Sequence, residues 1–188
     1  MAGAREVFLA DGFEAANVDD IARAANVSKA TIYSYFPDKR SLFIEVLQLE
    51  CSQQGARALQ SIDMTAPLRE LLHQAGEQMV NFIDTDFGQR VFRICMAEAE
   101  RFPEIGRSFY QTGLVVVRAP LIAMFESAIA RGELKIDDLE LAAEQFQVLC
   151  KANLLERVIF NAEKAIAPAE KQRVITGAVE MFLACYGT

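Results

Sequence analysis

The stretch that decides the fold is residues 18–39, VDDIARAANVSKATIYSYFPDK. The spacing of its first apolar residues predicts one face of a short helix: Ile21, Ala22 and Ala25. A second short helix follows, and Ser28 offers a side-chain oxygen to the free N–H groups at its start, as an N-cap residue does. Ile32 and Phe36, four residues apart, give the second helix its buried face.

Three side chains suit the steep crossing of two helices joined by so short a turn. Ala22 provides the small residue at the crossing, and Asn26 tolerates a left-handed backbone better than any residue except glycine. Ile32 provides a branched apolar anchor in the second helix. This combination matches a DNA-binding helix-turn-helix.

The chain from Val7 to Leu47 resembles the N-terminal domain of the TetR family of bacterial one-component repressors. The resemblance rests on an ordered set of short motifs: Gly12-Phe13, Asp20-Ile21-Ala22, Val27-Ser28, Thr31-Ile32-Tyr33, Tyr35-Phe36 and Lys39. Family members usually carry glycine where this chain has Asn26, and often glycine where it has Ala30. Asn26 can still form the turn, but Ala30 alters the surface that faces the bases. The operator preference therefore cannot be copied from relatives.

The resemblance implies an all-α, tetracycline-repressor-like fold, with a three-helix helix-turn-helix head and a larger helical bundle that dimerises. We expect a DNA-binding domain over residues 1–49 and a ligand-binding and dimerisation domain over residues 50–188. Composition independently indicates an all-α chain, because long Ala/Leu/Glu-rich runs occur without the Asn-Gly or Gly-Gly signals of hairpins.

Composition also bounds the cellular setting. No run of about eighteen uncharged apolar residues is present, so no membrane span is expected. The start, MAGAREVF, lacks the layout of a signal peptide, and a cytoplasmic protein is the simplest interpretation.

Four cysteines are scattered singly in apolar patterns, which predicts buried free thiols rather than a zinc site: Cys51, Cys95, Cys150 and Cys185.

Apolar periodicity predicts the remaining helices. A short apolar-faced helix is expected over residues 4–11, closed by Gly12 in the left-handed conformation. Residues 114–130 predict a helix that is kinked at Pro120, because proline removes one backbone hydrogen bond. Residues 138–163 predict a second long helix.

These two long helices are apolar on several faces, and one small domain cannot cover all of them. A partner surface is the natural explanation. We therefore predict a homodimer through the helices at about 111–131 and 138–163. The resemblance implies the same arrangement, since family members dimerise through their last two long helices.

Eight residues form the predicted DNA-binding set: Asn17, Ser28, Lys29, Ala30, Thr31, Tyr33, Tyr35 and Lys39. Lys29 and Thr31 lie at the exposed start of the second helix, where side chains meet base edges in the major groove, and Ala30 can contact a thymine methyl. Tyr33, Tyr35 and Lys39 resemble the family positions that bind backbone phosphates. Taken singly, each tyrosine could instead belong to the core and Lys39 to the solvated surface, so the ordered set carries the prediction.

The net charge of −7 argues at first against binding to DNA, but the charge of the surface that contacts DNA matters more than the charge of the whole chain. Residues 28–40 carry three cations against Asp38 alone, whereas residues 1–27 are net negative. Few phosphates can be neutralised by so few cations. We therefore predict modest non-specific affinity for double-stranded DNA and a shallow dependence on salt.

The resemblance implies an inducer cavity in the central region of the chain. The candidate lining residues are apolar or aromatic, which suggests a small apolar ligand: Met79, Phe82, Ile83, Phe92, Cys95, Met96, Phe109 and Tyr110. Ordinary core packing is an equally good explanation for any one of them. Ligand binding would tilt the helix that follows Pro37 and change the spacing of the two heads in the dimer.

No constellation for catalysis or for a cofactor or metal is predicted. His73 is the only histidine, and no GxSxG motif accompanies it, so a hydrolase triad is not expected. One alternative from another class remains: a helical carrier of hydrophobic small molecules with a non-functional DNA-binding head. The two functions differ in what replacing Lys29 and Tyr33 by alanine would do, because only a regulator would lose operator binding.

Overall fold

The computed structural model of the chain describes residues 1–115, 117–163 and 165–188, and for Leu114 and Val115 it describes the backbone alone. These residues form helices joined by short turns, with one isolated antiparallel bridge between Leu134 and Gly187. The chain divides into two compact units. The head unit comprises residues 1–53 and 86–114, and the body unit comprises residues 54–85 and 115–188. The predicted boundary after residue 49 stays a prediction.

The helices run in chain order as follows: α1 Ala2–Ala15, α2 Val18–Ala24, α3 Lys29–Tyr35, α4 Lys39–Gln60, α5 Leu68–Asp84, α6 Asp86–Glu98, α7 Pro103–Phe109, a π-helical segment Tyr110–Val115, α8 Arg118–Ala130, α9 Leu139–Lys151, α10 Leu154–Ile159 and α11 Pro168–Tyr186. The predicted all-α fold is confirmed. Within it, α2 and α3 form the predicted helix-turn-helix.

An aromatic cluster holds the head unit together. Phe8 and Phe13 of α1 both pack against Phe43 of α4, with ring centroids 5.0 and 5.4 Å apart respectively. Phe102, just before α7, packs edge-on against Phe13 at 5.5 Å. Edge-to-face pairs of this kind add to the free energy gained by burying the rings. The cluster therefore fixes α1 and α4, the two helices that flank the helix-turn-helix.

The first helix differs from its predicted form. It begins at Ala2 rather than at residue 4, and Gly3 lies so close to α2 that a Cβ there would sit 2.6 Å from the backbone nitrogen of Ala25. Gly12 has the predicted positive φ, of 78°, but its ψ of 178° is extended rather than left-handed helical. That combination is accessible essentially to glycine alone, so Gly12 interrupts the helix before its last turn at Ala15.

Three phenylalanines form the centre of the body unit. Phe125 of α8, Phe146 of α9 and Phe182 of α11 are nearly inaccessible to solvent, and the first and last have ring centroids 4.9 Å apart. Helix α5 closes one side of this core, with Leu72 and Val80 fully buried. The core thus joins α5, α8, α9 and α11 through side chains that sequence periodicity places on their inner faces.

One prediction about the long C-terminal helices is wrong. Residues 138–163 do not form one helix, because Asn153 adopts a left-handed conformation with φ of 58° and separates α9 from α10. Asparagine accepts this conformation more readily than most residues. Pro120 is the third residue of α8. The turn before it includes residue 116, which lies outside the described residues, so the predicted kink at Pro120 stays a prediction.

Among the residues that the structure describes, one stretch, Pro103–Ala130, is long and apolar enough to cross a membrane when judged by length and composition only. It contains Glu104, Arg107, Arg118 and Glu126, so it is not the uncharged run whose absence the sequence analysis noted. A core helix of a soluble protein passes the same test. The stretch is therefore weak evidence for a membrane span.

Candidate DNA-binding site

Local capping fixes the two helices of the site. Asn17 precedes α2, and its side-chain oxygen accepts a hydrogen bond from the N–H of Asp19 at 2.9 Å. Ser28 precedes α3, and its hydroxyl oxygen accepts one from the N–H of Thr31 at 3.0 Å. Between the helices, Asn26 adopts the predicted left-handed conformation, with φ of 54°. These contacts give each short helix a defined start and set the turn between them.

Helix α3 is exposed along almost its whole surface. Ile32 is its only buried residue, and it anchors the helix to the rest of the head unit. Tyr35 is 77% exposed and Tyr33 is 45% exposed. The other predicted contact residues at the start of the helix are exposed as well: Ser28, Lys29, Ala30 and Thr31. Exposed tyrosines on a helix held by one apolar anchor are suited to contact with another molecule.

Lys29 has a partner that the sequence analysis did not assign to it. Its ammonium donates a hydrogen bond to a carboxylate oxygen of Asp19 at 2.9 Å, and both side chains are about half exposed. This bond is the main reason why the pKa of Lys29 is raised above its ordinary value. Asp19 is the second residue of α2, so the pair links the N-terminal ends of the two helices.

The hydroxyl groups of Ser28 and Thr31 lie 2.8 Å apart and form a hydrogen bond with each other. Ser34 donates a hydrogen bond from its hydroxyl to the backbone oxygen of Thr31 at 2.7 Å. A hydroxyl has one donor and two acceptor positions, so Thr31 keeps hydrogen-bonding capacity for a further partner. The start of α3 is therefore a small polar surface whose side chains are already ordered.

Lys39, the first residue of α4, is half-buried and bound to the head unit itself. Its ammonium donates hydrogen bonds to the backbone oxygens of Glu14 at 2.9 Å and Ala16 at 3.0 Å. The same nitrogen lies 4.8 Å from the centre of the Phe13 ring, a cation–π distance. Lys39 thus binds the carbonyl groups that end α1. An ammonium has three N–H donors, so one donor remains for a phosphate.

An open groove of about 410 Å³ collects four residues of the predicted set: Asn17, Lys29, Tyr33 and Lys39. The residues from Glu14 to Val18, where α1 ends and α2 begins, also line it. The residues come from the start of α2, from α3 and from the start of α4, which are separated in sequence. The structure therefore brings half of the predicted set together around one hollow. Ser28, Ala30, Thr31 and Tyr35 lie on α3 or at its cap, outside this groove.

Acidic residues around the groove were not anticipated as part of the site. Glu14 accepts a hydrogen bond from Arg101 at 2.6 Å, and this bond is the main reason why the pKa of Glu14 is lowered. Asp38 lines a neighbouring hollow rather than this groove. It accepts hydrogen bonds from the N–H and hydroxyl of Ser41, which lowers its pKa to about 2. The arginine comes from far along the chain, so no local sequence pattern could have placed it beside α1.

The predicted ligand-binding residues divide between the two units. Met79, Phe82 and Ile83 lie on α5 in the body unit, and the other five lie in the head unit. Phe92 and Phe109 pack edge-on, with ring centroids 4.8 Å apart. Cys95 is buried on α6, about one helical turn after Phe92. Met96 and Tyr110 are exposed, at 59% and 50%. That all eight line one cavity stays a prediction.

Comparison with known proteins places this geometry in a family. Residues 1–46 match the family model described as bacterial regulatory proteins of the tetR family. Residues 70–188 match the model described as the C-terminal domain of AefR-like transcriptional repressors. The chain belongs to the TetR family. The resemblance inferred from the motifs between Val7 and Leu47 is thereby confirmed.

Similar proteins span nearly the whole TetR-family chain. The HTH-type transcriptional regulator YhgD of Bacillus subtilis (strain 168) is 28% identical over 184 residues, which are 96% of this chain and 90% of YhgD. The crystal structure of a TetR-family regulator from Mesorhizobium loti MAFF303099 has a TM-score of 0.85 at 25% identity and covers 100% of this chain and 94% of that one. The flavonoid-responsive regulator FrrA has a TM-score of 0.83 at 31% identity, with coverage of 99% and 94%.

These findings establish a TetR-family transcriptional regulator. Regulators of the family bind DNA operators and small-molecule ligands and form dimers. They are not typically enzymes. The helix-turn-helix of this chain, α2 and α3, lies within the residues that match the N-terminal family model.

Proposed function

We propose that this TetR-family protein is a cytoplasmic homodimeric repressor, released from a palindromic operator by a small apolar ligand. The observation that carries the proposal is the exposed α3, whose one buried residue is Ile32 and which is flanked by the groove that contains Lys29 and Lys39. An exposed helix with ordered side chains at its start fits the major groove of DNA. In a dimer, the two copies of α3 would enter successive major grooves about 34–36 Å apart.

The residues divide into two roles at this interface. Lys29, Ala30 and Thr31 lie at the start of α3 and would contact base edges. Tyr35, Ser28 at the cap of α3, and three of the groove residues would contact phosphates; the three are Asn17, Tyr33 and Lys39. Phosphate contacts orient a protein on the duplex, whereas base contacts select the sequence. This division gives each residue a distinct expected effect when it is replaced.

The dimer surface follows from exposed apolar side chains of the body unit. Val148 of α9 is 65% exposed and Met181 of α11 is 60% exposed, and Leu141 and Phe160 are also exposed, Phe160 to 76%. The exposed positions of α8, in contrast, carry alanine, serine and glutamate. Exposed large apolar residues favour a partner surface. We therefore propose a dimer contact on α9, Phe160 and α11, within and beyond the predicted segment 138–163. The predicted contact over 111–131 stays a prediction, because the side chains of residues 114–116 lie outside the described part of the chain.

The ligand is proposed to be apolar or aromatic. The candidate residues on α5 and α6 are aliphatic, aromatic or sulfur-containing, and such side chains bind ligands mainly by excluding water. The similarity to FrrA, which is described as flavonoid-responsive, adds flat aromatic compounds to the set worth testing. Binding would act on DNA only through different affinities for the DNA-bound and free conformations.

The test begins with selection of a bound duplex from a random-sequence pool by the wild-type protein. Lys29→Ala and Tyr33→Ala should each weaken binding to the selected duplex by at least about fivefold, since interface contacts of this kind contribute about 1–3 kcal/mol. Lys135→Ala is the matched control, because Lys135 is exposed in the body unit and its replacement changes the charge equally. Unchanged binding by both head variants would contradict the proposal and favour the carrier.

A second measurement tests the ligand. A thermal-shift screen of lipophilic and flavonoid compounds should identify some that raise the melting temperature, and the same compounds should release the selected duplex in gel shifts. Compounds that raise the melting temperature without releasing DNA would contradict the switch. A flat response across broad chemistry would contradict ligand binding itself.

A further inference from the structure

We propose that Asp19 sets the DNA affinity of this protein, because its carboxylate occupies the ammonium of Lys29 and must be exchanged for an acceptor on DNA. The inference rests on the proposed function, since it concerns how that same site is held before DNA arrives. Asp19 belongs to α2 and Lys29 to α3, so the pair spans the turn of the helix-turn-helix. It makes Asp19 a positioning residue that acts through Lys29.

The geometry gives Asp19 a fixed place from which to act. Its backbone N–H donates to the side chain of Asn17 at 2.9 Å, which holds it in the first turn of α2. Its carboxylate then reaches Lys29 at 2.9 Å, although the two residues are ten positions apart. The lysine side chain alone is free to move away, because the aspartate is short and belongs to a capped helix turn.

The two partners respond in opposite ways to an approaching duplex. DNA phosphates and the O6 and N7 atoms of guanine attract Lys29, and phosphates repel the carboxylate of Asp19. The ammonium keeps two further N–H donors, but a phosphate that accepted from them beside Asp19 would face the repelling carboxylate. Lys29 therefore binds DNA by giving up the hydrogen bond to Asp19. Each DNA contact made by Lys29 is weakened by the free energy of the bond that it replaces.

The other charged groups near the pair are engaged elsewhere. Asp20 accepts a hydrogen bond from Arg23 at 2.7 Å, and Glu14 accepts one from Arg101 at 2.6 Å. Lys39, across the groove, donates to backbone oxygens of α1. Of the two groove lysines, Lys29 is thus the one that is bound to a carboxylate, that of Asp19, and would leave it to bind DNA. This arrangement accounts in part for a site that carries little free positive charge.

The structure offers a matched pair of variants. Asp19→Asn removes the charge that holds Lys29 and leaves a side chain of the same shape. Asp20→Asn makes the same change one residue later, in the same first turn of α2, where the carboxylate pairs with Arg23 instead. Both variants change the net charge and the helix-terminal charge equally. Only the first should act through Lys29.

Affinity is measured by fluorescence anisotropy on the duplex selected by wild type and on a scrambled duplex. Asp19→Asn should bind the selected duplex more tightly by up to about fivefold, the upper end of the range found for exposed ion pairs. On the scrambled duplex its salt dependence should steepen by about one unit, because Lys29 becomes free to neutralise a phosphate. Repeating both substitutions in a Lys29→Met background completes a double-mutant cycle.

The cycle separates the proposal from simple charge repulsion. The gain from Asp19→Asn should disappear in the Lys29→Met background, whereas the effect of Asp20→Asn should be the same in both backgrounds. An equal gain in both backgrounds, or no gain at all, would overturn the role of Asp19. If Lys29→Met leaves duplex binding unchanged, Lys29 is not a DNA contact, and the proposed site fails together with this inference.

Discussion

Replacing Lys39 by methionine should reveal a structural role that its sequence position does not suggest. The change keeps an unbranched apolar chain and removes the ammonium that donates to the oxygens of Glu14 and Ala16. A hydrogen bond from a charged donor contributes about 1.5–3 kcal/mol, and water replaces much of that at so open a site. Adding a cation–π contact with Phe13 of about 0.5–1 kcal/mol, we expect a loss of about 2 kcal/mol in the free energy of unfolding.

The assay is thermal unfolding followed by far-ultraviolet circular dichroism. A loss of this size should lower the melting temperature by about 4–8 °C in a chain of this length. Lys29→Met is the matched control, because its ammonium binds the half-exposed Asp19 and exposed pairs contribute little to stability. Equal melting temperatures for the two variants would refute the reasoning, since it requires Lys39 to stabilise the head unit and Lys29 not to.

Three further predictions concern the backbone, pH and thiols. Gly12→Ala should lower the free energy of unfolding, measured in urea, by about 1–3 kcal/mol, because alanine rarely adopts the φ of 78° found there. An added Cβ would contact no atom at either glycine, Gly12 or Gly55, so backbone conformation alone should decide the outcome. Gly55→Ala inside α4 should therefore raise the free energy of unfolding. Asp38 has a pKa of about 2 in the folded chain, below its unfolded value, so its stabilisation is present above about pH 4 and is lost towards pH 2. The difference in urea midpoint between wild type and Asp38→Asn should shrink over that range, and a constant difference would contradict it. Maleimide should label only the exposed Cys185 in the native protein and all four thiols in urea, because burial raises the pKa of the others to about 11 or 12: Cys51, Cys95 and Cys150.

The helix-turn-helix was predictable because its determinants are local. Ser28 caps the residues that follow it, and Asn26 supplies a conformation that few residues adopt, so both act within one turn of the chain. The break at Asn153 was not predicted, although it uses the same conformation, because the apolar spacing continues through it on both sides. Periodicity reports which residues are buried and does not report whether the backbone between them remains helical.

In the candidate site, too, features set by neighbouring residues could be predicted from the sequence, whereas features set by contacts between distant helices could not. The exposure of Tyr33 and Tyr35 follows from the single buried anchor Ile32, which sequence spacing reveals. The partners of Lys29 and Lys39 depend instead on how α1, α2, α3 and α4 meet. The motifs assigned Lys29 to base edges and Lys39 to phosphates, and they indicated neither the carboxylate that binds Lys29 nor the carbonyl groups that bind Lys39. Whether an ammonium is free or already bound depends on tertiary geometry.

The distribution of tyrosines makes the protein well suited to fluorine NMR. The chain contains four tyrosines, so biosynthetic incorporation of fluorotyrosine would give four signals. Tyr33 and Tyr35 stand on the exposed α3, Tyr110 belongs to the predicted ligand-binding set, and Tyr186 ends α11 in the body unit. A single spectrum would then report binding of a DNA duplex at Tyr33 and Tyr35 and binding of a ligand at Tyr110 in separate resonances. No fluorescent label would have to be attached to the protein.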